Sequence, residues 1–380
     1  MSRSGLAALP PGRLTTLPDR RPERLEALRR ELAARELDAL VVCSLPNIRY
    51  LTGFTGTSAL VLVTATAVEF LSDFRYRVQA ANEVGDLARV NTESGGLWQR
   101  LIKLLPEHPA VSSLGFEAHV LTANDAARFA SEAAKPWRFV PVTELVEAQR
   151  QVKSPEEVEA IRRAGAVAAD ALAATLPAIR AGQTELEIAA LLESALRRCG
   201  SEWFPFPTIV ASGPRSALPH ARTSRRVVSP GDLLLLDFGA IVDGYCSDVT
   251  RTCVVGAEPS QRQRELHAAV LEAQSAAIAG MRSGMTGRQA DALARDVLAA
   301  RGLGEAFGHS LGHGIGLEVH EGPRLASTVE EVLPAGVVVT VEPGVYLEGW
   351  GGVRIEDDVV LNAGGAERLT EIPSELVRLG

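Results

Sequence analysis

The chain is short of cysteine, has no excess of positive charge and has no long apolar run, and each shortage excludes something. Four cysteines, Cys43, Cys199, Cys246 and Cys253, stand in 380 residues with no CxxC pair and no regular spacing. A chain this long does not need disulfide staples, so we expect free, mostly buried thiols and a reducing compartment. A formal net charge of -8 argues against a general nucleic-acid binder, which would show a basic face. The longest uncharged run, Tyr50 to Val68, contains five threonines and two glycines and reads as loop and strand, not as a membrane span. The opening MSRSGLAALPPGR has a short apolar stretch cut by Pro10 and Pro11, which fails as a secretory signal. The expectation is a cytoplasmic protein that binds neither membrane nor nucleic acid.

Length and patterning predict two domains after a flexible arm. Residues 1–20 are rich in proline and arginine and lack periodicity, as frayed termini do. From Arg24 to Glu36, Leu25, Leu28 and Leu32 fall at helical spacing, DALVVCS reads as a buried strand, and SALVLVTATAVEFLSD as a strand pair. Alternating strand and helix signals predict an α/β domain with a mixed sheet over 21–150. A new helix then starts at Ser154, with Pro155 at its first position and Glu157 completing a capping box, which opens a second domain over 151–380. That domain reads as α+β with an internal repeat. Two helices (about 155–178 and 184–199) lead to an acidic hairpin, and two more (about 259–281 and 287–301) lead to another.

The chemistry collects in these hairpins. LLLLDFGA is apolar without alternation up to Asp237, as in a strand covered on both faces. A turn at Asp243-Gly244 returns the chain, and Cys246, Asp248, Thr250 and Thr252 share one face by period-two alternation. The second hairpin puts Glu342 at the end of an apolar strand, before Pro343-Gly344, and sets Arg354, Glu356 and Asp358 on one face. Buried carboxylates are normally paired or bound to metal, and few cations are written beside these. Asp237, Asp248, His313, Glu342 and Glu356 are therefore read as ligands, about enough for two ions sharing bridging carboxylates. His309 and His313 have i,i+4 spacing, but Gly308, Gly312, Gly314 and Gly316 make a helix improbable. An extended segment would let backbone pass close to the site, with His313 as ligand and His309 and His320 facing substrate. His220 lies in a polar loop upstream and means little alone.

These motifs (LDFGA, SDVTRT, GHGIGLEVHE, TVEPG, VRIEDD) resemble the Xaa-Pro aminopeptidase and prolidase family, dinuclear metallopeptidases of the pita-bread fold. The likeness covers 150–375 strongly, and RYLTGFTGTSALVLV with FLSDFRY resembles that family's N-terminal domain. The resemblance implies that Asp237 holds one metal through both oxygens. Asp248 and Glu356 would bridge the pair, and His313 and Glu342 would complete the second site. It also implies that His220, His309 and His320 line the substrate pocket, with His320 at the scissile carbonyl and Glu342 as general acid/base. Arg354 would anchor the acidic cluster, and Tyr346 matches the tyrosine after the second acidic strand. Two divalent ions are expected, manganese by resemblance, with cobalt, zinc or iron also suited to the ligands.

The expected activity is removal of an N-terminal residue before proline from short peptides, by a homodimer. Aminopeptidase is preferred and dipeptidase is the alternative. A dipeptidase needs a cation for the product-side carboxylate, for which Arg324 is the nearest candidate, with a surface role as its other reading. A metal-dependent lyase and a peptide-binding module of the same fold rank lower.

Overall fold

The computed structural model describes residues 19–132 and 137–380; the arm expected at the N-terminus falls outside these up to residue 18. The described residues form two compact units, one ending at Val146 and the other running from Glu147 to Gly380.

The first unit is a six-stranded mixed sheet with helices. Its strands are β1 (Ala39–Val42), β2 (Ala59–Thr64), β3 (Val68–Ser72), β4 (Arg89–Asn91), β5 (Ser113–Glu117) and β6 (Arg138–Val142), in the order β4-β3-β2-β1-β5-β6. The pairs β1–β2 and β2–β3 are antiparallel, whereas β3–β4, β1–β5 and β5–β6 are parallel. β1 is buried along its whole length, which is why ALVV carries no polar alternation. The helix Arg21–Ala34 buries Leu25, Leu28 and Leu32, the apolar stripe visible in the sequence.

The second unit repeats one plan. Helices Pro155–Thr175 and Glu185–Cys199 precede β7 (Ile209–Ser212), β8 (Leu233–Phe238), β9 (Ile241–Val242), β10 (Tyr245–Cys246) and β11 (Val249–Val255). Helices Gln261–Gly280 and Gly287–Ala300 precede β12 (Gly312–Gly314), β13 (Glu321–Leu325), β14 (Val338–Val341), β15 (Gly344–Leu347), β16 (Gly351–Arg354), β17 (Asp357–Asn362) and β18 (Gly365–Arg368). A last strand, β19 (Arg378–Leu379), adds to β11.

All four helices begin with a capping box, Ser154 with Glu157, Thr184 with Glu187, Ser260 with Gln263 and Thr286 with Gln289. Serine opens the first helix of each pair and threonine the second, so the duplication survives in the local rules for starting a helix. Each cap satisfies backbone N–H groups that the first turn leaves unpaired and contributes about 1 kcal/mol. Each half has its own core. Ala164, Leu172, Ile188 and Leu192 pack with Leu234, Leu236 and Val249 in the first, and Val270, Ala273, Ala294 and Leu298 with Val339, Val341 and Val359 in the second. Among the described residues no helix is long and apolar enough to cross a membrane.

Candidate metal centre

The two acidic strand pairs meet between the two cores. β8 is buried throughout and pairs antiparallel with β11, setting Thr250 opposite Asp237. Asp248 lies two residues before Thr250 and so projects from the same face. Between them β9 and β10 form a small ribbon of their own, turned at Asp243 (φ 50°) and Gly244 (φ 78°), the two left-handed positions of a type I′ turn.

The second half repeats this. β14 pairs with β17 as far as Val341 opposite Asp357, which leaves Glu342 and Glu356 just past the ladder. β15 and β16 then form a separate antiparallel ribbon. The plain hairpin expected from sequence is thus, in both halves, a strand pair with an inserted ribbon. Pro343 has no N–H to continue the β14 ladder. In the first half, a Cβ on Gly239 would stand 1.9 Å from the Ser247 carbonyl oxygen. The halves join where the Glu356 N–H donates to the Thr250 carbonyl at 3.1 Å.

β12 carries His313 into this junction. A Cβ on Gly312 would lie 2.0 Å from the Thr340 carbonyl oxygen, and one on Gly314 2.0 Å from that of Gly322. These glycines are what a close backbone approach requires, as the sequence suggested. The His313 Nδ1–H donates to the Gly314 carbonyl at 3.0 Å. A carbonyl only accepts, so the proton is on Nδ1 and the Nε2 lone pair is free. That lone pair faces Glu342 Oε1 at 3.6 Å and Asp248 Oδ2 at 3.9 Å, too far for hydrogen bonds. Burial pushes the imidazole pKa down to about 4.

Of the three histidines expected from the sequence to face substrate, His220 and His320 act by their charge on Asp237. The His320 ring lies 4.4 Å from that of His313. His309 donates from Nδ1 to the Ser310 carbonyl at 2.8 Å, so its Nε2 accepts from the Tyr346 hydroxyl at 3.0 Å. The Tyr346 oxygen in turn accepts from Arg354 Nη1 at 2.8 Å. His220 is exposed, and its position is fixed through its neighbour, since the Pro219 carbonyl accepts from Arg354 Nη1 at 3.1 Å.

Arg354 is the hub of the carboxylates. It bonds Asp237 Oδ2 through Nη2 and Thr250 Oγ1 through Nε at 3.0 Å. The Thr250 hydroxyl then donates to Glu356 Oε2 at 2.6 Å. One oxygen of Asp237 is therefore engaged by a guanidinium. Asp358 Oδ2 accepts from the Asp248 N–H at 3.0 Å, and Thr340 Oγ1 from the His313 N–H at 3.1 Å. Thr250, Thr340 and Asp358 escaped the sequence reading as site residues. Their signal was a polar side chain inside an apolar strand, on the same face as a named acid.

The charge balance favours a bound cation. Burial, and after it the neighbouring Glu356, pushes the Asp248 carboxyl well above its usual range, and Glu342 is raised in the same way. Glu356 is pushed up to about 8, first by burial and then by Asp237. Among the described residues Asp248 Oδ1 and Asp358 Oδ1 are buried without a hydrogen-bond partner. Asp248, His313 and Glu356 can each turn one ligand atom inward so that all three lie within 4.8 Å of one another. An orphaned carboxylate oxygen beside an unprotonated imidazole nitrogen is a donor set that fits a divalent ion.

Residues 159–363 match the description Metallopeptidase family M24. The chain belongs to this family. Residues 24–152 match the Creatinase/Prolidase N-terminal domain, the pairing found in the Xaa-Pro peptidases of family M24. The solved structure of a Xaa-Pro dipeptidase from Bacillus anthracis is 41% identical, with a TM-score of 0.91, and the match covers 94% of this chain and 100% of that one. An X-Pro aminopeptidase from Thermotoga maritima is 40% identical, with a TM-score of 0.87 and coverage of 94% and 100%. The Xaa-Pro dipeptidase of Pyrococcus furiosus is 36% identical over 93% of this chain and 99% of its own length. The M24 chain thus has the pita-bread fold expected from its motifs, and an M24 metallopeptidase implies divalent metal ions.

Proposed function

We propose that this M24 peptidase is a manganese-dependent Xaa-Pro dipeptidase. The observation that carries the reading is Arg324. It stands directly opposite His313 across β12 and β13, so both side chains leave the same face. It is exposed, and its charge acts on both His313 and His320. Among the described residues no carboxylate pairs with it, in a unit where most arginines are paired. A free cation beside the pocket is what a dipeptidase needs to hold the product-side carboxylate. The dipeptidase names among the relatives support the same choice over the aminopeptidase preferred from sequence. The likeness to the Thermotoga maritima enzyme keeps aminopeptidase as the second reading.

Asp237, Asp248, His313, Glu342 and Glu356 would hold the ions, which when bound supply Lewis acidity at the scissile carbonyl and a water of lowered pKa. Glu342 has 17% of its side chain exposed, against 7% for Asp248, and is the carboxylate most open to the pocket. We assign it the proton delivered to the proline nitrogen, a tertiary amide that leaves as a secondary amine only once protonated. His320 donates to the carbonyl oxygen as charge develops there, with His220 and His309 on the pocket wall.

The test is the metal-stripped protein restored with manganese and given Ala-Pro and Ala-Pro-Ala, with alanine release followed. Cleavage of the dipeptide with little of the tripeptide is expected. The reverse would make it an aminopeptidase, and inactivity on both with metal bound would end the peptidase reading.

A further inference from the structure

Away from the ligands, one of the buried charged clusters of the second unit that the reaction does not use is centred on Glu321. Glu321 follows His320 directly. Its carboxylate accepts from Arg150 Nη2 at 2.5 Å, from Lys153 Nζ at 3.0 Å and from the Glu318 N–H at 3.0 Å. The Arg150, Lys153 and Glu321 side chains are 2%, 1% and 7% exposed. Arg150 Nη2 also reaches Glu318 Oε2 at 2.8 Å, so one guanidinium ties both ends of the turn. The turn is closed by the Gly316 N–H donating to the Glu318 carbonyl at 3.0 Å, and the Cys246 N–H donates to the Gly316 carbonyl at 2.8 Å. A Cβ on Gly316 would sit 2.8 Å from Glu321 Oε2, so the carboxylate packs on the bare backbone of this turn. The cations come from QRQVK, the five residues just before the helix start at Ser154.

Two buried cations around one carboxylate are a costly way to add stability, but an effective way to hold a loop in one geometry. The loop they hold carries His320, whose ring lies 4.4 Å from that of the proposed ligand His313, tilted by 58° to it. We propose that Glu321, gripped by Arg150 and Lys153, is the positioning residue that fixes the His320 imidazole in the pocket. The geometric part stands without the peptidase reading; only the task given to His320 rests on it.

The experiment uses the full chain loaded with zinc, which is diamagnetic, and the histidine ring resonances, assigned by single His→Asn variants. In E321Q the His320 signals are expected to broaden or split while those of His309 and the zinc content stay at wild type. The charge-balanced K153M/E321Q variant guards against misfolding of E321Q and should show the same change. With manganese and the preferred Xaa-Pro substrate, kcat should fall about 10–100-fold at nearly constant KM. The variant H320N/E321Q should be no slower than H320N, because a group acting through His320 adds nothing once His320 is gone. Unchanged His320 signals in both Glu321 variants, or kcat losses that multiply, would overturn the proposal. If the wild type cleaves no Xaa-Pro peptide, the peptidase reading fails, and the ring signals still decide the positioning role.

Discussion

His313 Nε2 faces Glu342 Oε1 at 3.6 Å while its Nδ1–H is committed to the Gly314 carbonyl at 3.0 Å. A lone pair aimed at an anionic oxygen is repulsive in a buried setting unless a cation lies between them or the carboxyl takes up a proton. An ion bound to the folded chain and not to the unfolded one adds stability by mass action. Chelation should therefore lower Tm by roughly 5–10 °C, and manganese at about a hundred times its Kd should restore it. A melting curve indifferent to both treatments would remove the metal centre from the account.

Thr250 links the two halves through one hydroxyl, accepting from Arg354 and donating to Glu356. Thr250→Val keeps the shape and leaves both partners short of a bond in a buried place, at a cost of about 1–3 kcal/mol. Manganese affinity should fall about 10–100-fold, as when an outer partner of a ligand is lost. Calorimetric titration of the variant at wild-type affinity would show that the bridge is incidental.

Arg324→Met separates the two exopeptidase readings. Loss of a charged hydrogen bond to a carboxylate costs about 1.5–3 kcal/mol, so kcat/KM on Ala-Pro should drop about 10–100-fold, chiefly through KM. Ala-Pro-Ala, with its carboxylate one residue further on, should be hydrolysed at the wild-type rate. Equal losses on both substrates would return Arg324 to a surface role.

His267, buried on the helix Gln261–Gly280, has its pKa pushed down to about 4 from 6.5, first by burial and then by the charge of Arg251. The folded value lies below the unfolded one, so the unfolded chain takes the proton first as pH falls. The folded state is at full stability above pH 6.5 and should lose on the order of 3 kcal/mol between pH 6.5 and 4 from this group. In His267→Leu that part of the acid loss should vanish, which denaturant titrations at pH 7 and 4.5 can read directly. A variant with the same pH slope as wild type would show the histidine is not the cause.

Much of the fold was legible because its signals are local. The stripe Leu25, Leu28, Leu32, the unalternating LLLLDF and the box at Ser154 and Glu157 each state an element within a few residues of itself. The ribbon geometry of β9–β10 and β15–β16 was not legible. Where a hairpin stops pairing depends on what presses on it, such as the Ser247 carbonyl on Gly239.

The same division runs through the site. The sequence by itself named acids and histidines whose apolar surroundings make a lone charge too costly, because that cost can be judged from neighbours in the chain. Only the tertiary structure decided which groups hold them: Arg354 on Asp237 from 117 residues away, Thr250 on Glu356 from 106, Arg150 on Glu321 from 171. A hydrogen bond depends on distances of a few tenths of an ångström, and those are set when the two duplicated halves pack together, at a range over which no pattern along the chain carries information.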